Sequence, residues 1–286
     1  MKKRIVRHKI FLFSVFLFLF KPCVSFGESL GPRYVSLAPA TTEILFALGC
    51  EKEIVGVSSF CNYPPAAKQK ENVGSFSAPN IENILSLRPD IIFCTGMEQT
   101  PTVLELRHLN FKVYVSSPAT IPELFDSIAE IGALTHKEKE AQRLVTEMKA
   151  GLEALQKSVS QLNGYKKEKI FVEIWGEPLI TAGRGSLVDE LITFLGGINI
   201  ANDVPRSFCY FNSEQVILRN PDCIILAYMT KDSPEALMKK RFGWKSISAV
   251  KNGRVYSDIN PDLILRPGPR IVEGARELSK RMYSVS

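Results

Sequence analysis

Two segments of this chain follow one plan. Residues 80–92 read Asn-Ile-Glu-Asn-Ile-Leu-Ser-Leu-Arg-Pro-Asp-Ile-Ile, and residues 212–225 read Asn-Ser-Glu-Gln-Val-Ile-Leu-Arg-Asn-Pro-Asp-Cys-Ile-Ile. Glu82 lies seven residues before Pro89, and Glu214 lies seven before Pro221. In each copy an Asn caps a short amphipathic helix, a Pro-Asp turn follows, and an apolar run reads as a buried strand. One such unit in each half of the chain predicts two lobes of similar build that face each other.

The rest of the chain alternates in the same idiom. Strand signals fall at 33–37, 54–58, 91–94 and 112–115, then at 169–175, 222–228 and 254–257. Between them, Thr41-Thr42-Glu43 opens a helix that stops at Gly49, and Thr120 with Glu123 makes a capping box for a helix running to Leu134. A further helix over 186–195 ends at Gly196-Gly197, where glycine supplies the left-handed cap. Residues 265–270, Leu-Arg-Pro-Gly-Pro-Arg, set a turn before a last helix over 271–282. Strands alternating with helices predict parallel sheets covered on both faces.

Between the halves, residues 136–157 are dense in Lys, Glu, Ala and Gln. Ala141, Leu144, Val145, Met148, Leu152 and Leu155 fall on one helical stripe. A helix of that span would be roughly 33 Å long at 1.5 Å per residue, a strut rather than a flexible linker. The expected fold is therefore α/β: two Rossmann-like lobes with parallel central sheets joined by one long rigid α-helix. Ligand space is expected at the strand ends between them. The expected divisions are a signal peptide at 1–27, an N-terminal lobe at 28–135, the linking helix at 136–163 and a C-terminal lobe at 164–286.

The leader reading rests on Lys2, Lys3, Arg4, Arg7 and Lys9, which precede an eleven-residue apolar run over 10–20, and on the small residues Ser25 and Gly27. The run is short for a membrane span and suits a cleavable export signal, which places the mature chain in the periplasm. The segment before Cys23 lacks the small apolar residues of a lipidation signal. The leader also carries the charge imbalance: it holds six Lys/Arg and no acid, so a net charge of +6 becomes a balance of thirty basic and thirty acidic residues. A neutral mature chain argues against a nucleic-acid or anionic-membrane footprint.

Five cysteines remain after the leader: Cys50, Cys61, Cys94, Cys209 and Cys223. No Cys-x-x-Cys or Cys/His cluster with metal spacing appears, and no metal site is expected. Cys94 and Cys223 lie in apolar strands as buried thiols, Cys61 and Cys209 read as exposed loop cysteines, and a Cys50–Cys61 bridge suits an oxidising compartment. Gly183-Arg184-Gly185-Ser186 lacks the spacing and the Lys of a phosphate loop, and no Gly-x-Ser-x-Gly elbow occurs. An exported hydrolase built on Cys61 and His136 is the weakest reading, and no enzymatic activity is expected.

Several stretches carry a family resemblance. They are Ser36-Leu37-Ala38-Pro39-Ala40-Thr41-Thr42-Glu43, Gly56-Val57-Ser58-Ser59-Phe60-Cys61-Asn62-Tyr63-Pro64-Pro65, the segment 80–90, Gly196-Gly197-Ile198-Asn199 and Pro269-Arg270-Ile271. Together they resemble periplasmic solute-binding proteins whose lobes are joined by one long helix, which serve ABC importers of cobalamin, haem and iron–siderophores. Within that class the stretches are most similar to the cobalamin binders.

The resemblance implies a monomer that captures a corrinoid between its lobes and delivers it to a permease dimer with its ATPase subunits. Cobalamin would be cargo, not cofactor. It also implies that Glu82 and Glu214 dock on the permease, one from each lobe. A glutamate in a first helical turn also stabilises its own helix through the macrodipole. Aromatics lining the cleft would be Phe60, Phe76, Trp175 and Phe208, all expected in loops at strand ends, with Asp258 accepting a hydrogen bond from the ligand. Ferric siderophore ranks second, with Arg184, Arg206 and Arg266 as its cations. Haem ranks third, since only Tyr63 or Tyr210 is placed to bind its iron.

Overall fold

The first sheet is built from the chain's earliest strands and is wholly parallel. In this computed structural model, residues 31–96, 99–161, 167–228 and 231–283 are described. The expected signal peptide at 1–27 lies outside them. Strands β1 (Tyr34–Ser36), β2 (Ile54–Val57), β3 (Ile91–Cys94) and β4 (Val113–Val115) lie in the order β2-β1-β3-β4. They alternate with α1 (Pro39–Ala47), α2 (Ile81–Ser86), α3 (Thr100–His108) and α4 (Ile121–Leu134). The helix expected from Thr41 begins two residues earlier, because Pro39 at the first helical position has its φ already fixed for the turn.

Side-chain caps set the helix starts as expected. Asn80 accepts from the Asn83 N–H at α2, and Thr120 accepts from the Glu123 N–H at α4. The strut is α5 (Glu138–Gln161), 24 residues long and on the order of 36 Å at 1.5 Å per residue. It starts after His136, whose φ of 57° turns the chain out of α4, so the expected start at 136 moves two residues on.

The second sheet contains strands that the sequence reading lacked. Here β5 (Lys169–Gly176), β6 (Leu179–Ala182), α6 (Leu187–Phe194), β7 (Ile198–Asn199) and β8 (Phe208–Tyr210) precede α7 (Ser213–Arg219) and β9 (Cys223–Leu226). They are followed by α8 (Pro234–Lys240), α9 (Ser248–Lys251), β10 (Val255–Tyr256), α10 (Asp262–Leu265) and α11 (Ile271–Tyr283). The order is β10-β9-β5-β6-β8, with β7 paired to β5. Strands β10, β9, β5 and β7 pair in parallel, but β6 runs antiparallel to β5 and β8 antiparallel to β6. A tight hairpin puts Gly176 opposite Leu179, so this lobe carries an antiparallel edge on a parallel core.

From Pro32 onward the chain packs as one compact unit. Its main apolar cluster crosses both sheets: Tyr34, Ile44 and Phe93 belong to it, as do Leu152 of α5, Ile192 of α6 and Leu278 and Met282 of α11. Smaller clusters fill the outer face of each lobe, one around Phe171 and Trp244, the other around Ile84 and Leu106. Among the described residues no helix is long and apolar enough to cross a membrane.

Candidate functional site

All four strands of the first sheet end at one cavity. Ala38, Pro39 and Thr41 follow β1, Phe60 follows β2, Thr95 and Gly96 follow β3, and Ser116 and Ser117 follow β4; all of them line it. Phe76 and Ser77 reach it from the bend before α2. The opposite wall comes from the second lobe: Ser186 and Leu187 at the start of α6, Ser207 and Phe208 at β8, Leu265 at the end of α10, and Arg266 and Pro267 just beyond it. The carboxyl ends of parallel strands are where open α/β sheets leave a crevice, and this one holds about 560 Å³.

The structure brings three of the expected aromatics together. Phe60 and Phe76 meet edge to face, their ring centroids 6.3 Å apart, and Phe208 faces them from the other lobe. Phe60 is 56% and Phe208 49% exposed, a large apolar area left uncovered on a folded chain. Phe60 lies in a turn and Phe76 in a bend, as expected, whereas Phe208 opens β8 and Trp175 lies within β5. Trp175 does not line the cavity. Its Nε1 donates to the Glu177 carbonyl at 2.9 Å and its ring rests 6.2 Å from that of Tyr228.

Asp258 is also away from the lining. Arg281 donates to both of its carboxylate oxygens, at 2.6 and 3.3 Å, which holds the carboxyl below the usual range. Glu82 and Glu214 are exposed, each in the first turn of its helix, on α2 and α7 respectively.

One part of the site was read in the sequence as a turn, with Arg266 only as a candidate cation for a ferric chelate. Arg266 lines the cavity, and Arg270 shares its partner Glu43. The Arg270 guanidinium donates to the Glu43 carboxylate at 2.6 and 2.8 Å, while Arg266 reaches Glu43 at 3.4 Å, Asn62 at 2.7 Å and Asp262 at 3.0 Å. Glu43 is 4% exposed, so a buried carboxylate of the first lobe is neutralised by two cations of the second. At the far side of the cavity the Glu190 carboxylate on α6 accepts from the Ile121 N–H that opens α4, at 2.6 Å. Burial pushes the Glu190 carboxyl up, with Glu123 and Asp189 adding to the rise. The charge pattern Thr-Thr-Glu with Arg-Pro-Gly-Pro-Arg was the available signal for the first of these bridges; nothing local marked the second.

The cysteines differ from expectation. All five are buried and free, so the structure holds no Cys50–Cys61 bridge, and Cys61 and Cys209 are not exposed loop thiols. Cys61 follows the exposed Phe60 but points inward, where the Thr42 hydroxyl lies 3.0 Å from its sulfur and Ser58 3.2 Å. Among the described residues no group of three or more His, Cys, Asp or Glu gathers to hold a metal.

Comparison with known proteins agrees with this geometry. Residues 35–261 match the family described as periplasmic binding protein. An uncharacterised ABC transporter substrate-binding lipoprotein of Bacillus subtilis, YvrC, is 32% identical over 88% of this chain and 80% of its own. A vitamin B12-binding protein of Vibrio cholerae is 30% identical over 86% of this chain and 87% of its own. The crystal structure of the periplasmic vitamin B12-binding protein BtuF of Vibrio cholerae superposes with a TM-score of 0.73, at 30% identity over 87% of this chain and 96% of that one. With a match over most of its length, two α/β lobes and a long connecting helix, the chain belongs to the periplasmic binding protein family.

Proposed function

We propose that this solute-binding protein captures cobalamin or a related corrinoid in the cavity between its lobes and delivers it to the permease of an ABC importer. The observation that carries this reading is the chemistry of the lining. Three phenylalanines with Leu187, Leu265 and several prolines offer flat apolar surface, while Thr95, Ser77 and Ser207 supply neutral hydroxyls around it. That combination suits a large, flat, amide-fringed ligand. The likeness to vitamin B12-binding proteins supports the same choice.

Among the described lining residues there is no His, Tyr, Cys or Met, the side chains that hold a haem iron. Tyr63 is occupied by Arg270, which lies over its ring. Arg266 is the one cation among the described lining residues, and Asn62, Glu43 and Asp262 already engage it, which leaves little positive charge for an anionic ferric chelate. The protein's role is binding and delivery, without bond chemistry. Glu82 and Glu214 present one exposed carboxylate from each lobe to the two-fold permease. The leader directs export to the periplasm.

The test is a calorimetric titration of the mature protein with cyanocobalamin, alongside haemin and a ferric hydroxamate. One-to-one micromolar or tighter binding of the corrinoid supports the reading. Saturable binding of haemin or the ferric chelate with none of cyanocobalamin overturns the ligand and leaves the family untouched.

A further inference from the structure

Gln99 stands at the N-cap of α3, yet its side chain does not cap that helix. It is completely buried and turned toward the cavity loops instead. Its Oε1 accepts from the Thr95 N–H at 2.8 Å, and its Nε2 donates to the Leu37 carbonyl at 3.1 Å and to the Phe76 carbonyl at 2.8 Å. All three partners are backbone groups of fixed polarity, so only one orientation of the amide satisfies them. Thr95 and Phe76 line the cavity, and Leu37 precedes Ala38, which also does. One buried side chain thus ties three separate stretches of the cavity wall.

A second strap extends the same platform. Ser117 accepts from the Gly96 N–H at 2.5 Å and bonds the Thr95 hydroxyl at 3.0 Å. A Cβ at Gly96 would lie 2.6 Å from the Ser117 oxygen, so glycine is what lets these loops close. The bend that carries Phe76 is pinched at its base, where Gly74 and Pro79 bridge, and Gln99 reaches its tip.

We propose that Gln99 is the positioning residue of the ligand cavity, fixing Phe76 against Phe60 and holding the loops after β1 and β3 in binding geometry. The proposal rests on the reading of this cavity as the ligand site. Gln99 touches no ligand; it acts through the backbone of residues that do. Its neutral amide suits the place, because two carbonyl oxygens and one N–H need two donors and one acceptor.

Two variants separate this role from general stability. Gln99→Met keeps the length and removes all three bonds. Gln99→Glu keeps the acceptor for Thr95 but sets a carboxylate against two carbonyl oxygens. We expect Gln99→Met to weaken cyanocobalamin binding by about tenfold or more, with faster hydrogen exchange confined to the Thr95 amide and residues 74–79. Gln99→Glu should bind worse at pH 8 than at pH 5, where its protonated carboxyl again donates to a carbonyl, relative to wild type at each pH. Wild-type affinity in folded Gln99→Met overturns the proposal, as does an exchange increase spread over the whole chain. If wild type binds no cyanocobalamin, the corrinoid reading fails, and the exchange pattern alone decides on Gln99: unchanged protection at Thr95 and 74–79 overturns its role.

Discussion

Arg270 closes on Glu43 through two parallel hydrogen bonds, 2.6 and 2.8 Å long, and lays its guanidinium 3.8 Å from the centre of the Tyr63 ring. The contact joins α1 of the first lobe to the segment that opens α11 of the second. Planar guanidinium suits both partners at once, since it matches a carboxylate fork edge-on and an aromatic ring face-on. Arg266, which lines the cavity, engages the same carboxylate.

Breaking this pair should be costly. Glu43→Gln leaves two cations facing an uncharged amide in a largely dry site, and a loss on the order of 3 kcal/mol is expected. Urea denaturation of the mature protein measures it. Arg270→Lys, which keeps charge but loses the fork and the stacking, should cost less but remain clearly destabilising. Wild-type stability in Glu43→Gln would show that the bridge contributes nothing.

Aromatic substitutions should divide by position. Phe208→Ala and Phe60→Ala, in the lining, are expected to weaken corrinoid binding by tenfold or more, about 1.4 kcal/mol each. Trp175→Ala, whose ring lies on Tyr228 outside the lining, should change affinity by less than threefold. Calorimetry on the three variants decides, and an equal loss at Trp175 would extend the site beyond the cavity described.

Docking and binding should separate. Glu82→Lys and Glu214→Lys each reverse an exposed charge on a different lobe, so uptake through the importer should fall with either and further with both. Ligand affinity should stay unchanged, because neither residue lines the cavity. Uptake assays paired with titrations read the two effects independently.

The thiols should be silent in the native protein. Burial pushes Cys94 and Cys223 up to about 12, and raises Cys50, Cys61 and Cys209 as well. Iodoacetamide at pH 8 is therefore expected to leave all five unmodified over a time in which urea-unfolded protein reacts fully. Mass spectrometry counts the adducts. Rapid native labelling of Cys61 would mean that the loop bearing Phe60 opens.

Acid should expose the Asp258–Arg281 pair. The hydrogen bonds from Arg281 lower the Asp258 carboxyl below its ordinary 3.8, so its stabilising contribution is present above that value and fades as pH falls through the lower folded one. Asp258 is exposed and the pair is screened by solvent, which limits it to about 1 kcal/mol or less. Asp258→Asn should therefore flatten the loss of stability below about pH 4, as followed by thermal melts across that range.

What the sequence made legible was whatever leaves a local mark. The paired Asn-x-Glu units, the Thr120 cap and the apolar stripe from Ala141 to Leu155 each depend on neighbours within one helix, and each appears where expected. The strands at 179–182 and 208–210 were missed because each is short and draws its order from an antiparallel neighbour, β6 from β5 across a hairpin and β8 from β6, rather than from its own alternation. Contacts between stretches far apart in sequence were hardest to read. Ile121 and Glu190 meet only because two helices begin at the same edge of the cavity, and Gln99 binds Leu37 from 62 residues away. Cys61 misled for a related reason: its neighbour Phe60 is exposed, and a single peptide step turns the chain from surface to interior.

The apolar cluster that passes from Tyr34 and Phe93 through α5 to Leu278 and Met282 has a consequence for engineering. A chimaera that takes one lobe from a relative to change its cargo would inherit only half of a seam whose other half stays behind. Such grafts should succeed where α5, α11 and the facing side of α1 travel together, and should aggregate where the cut falls between them.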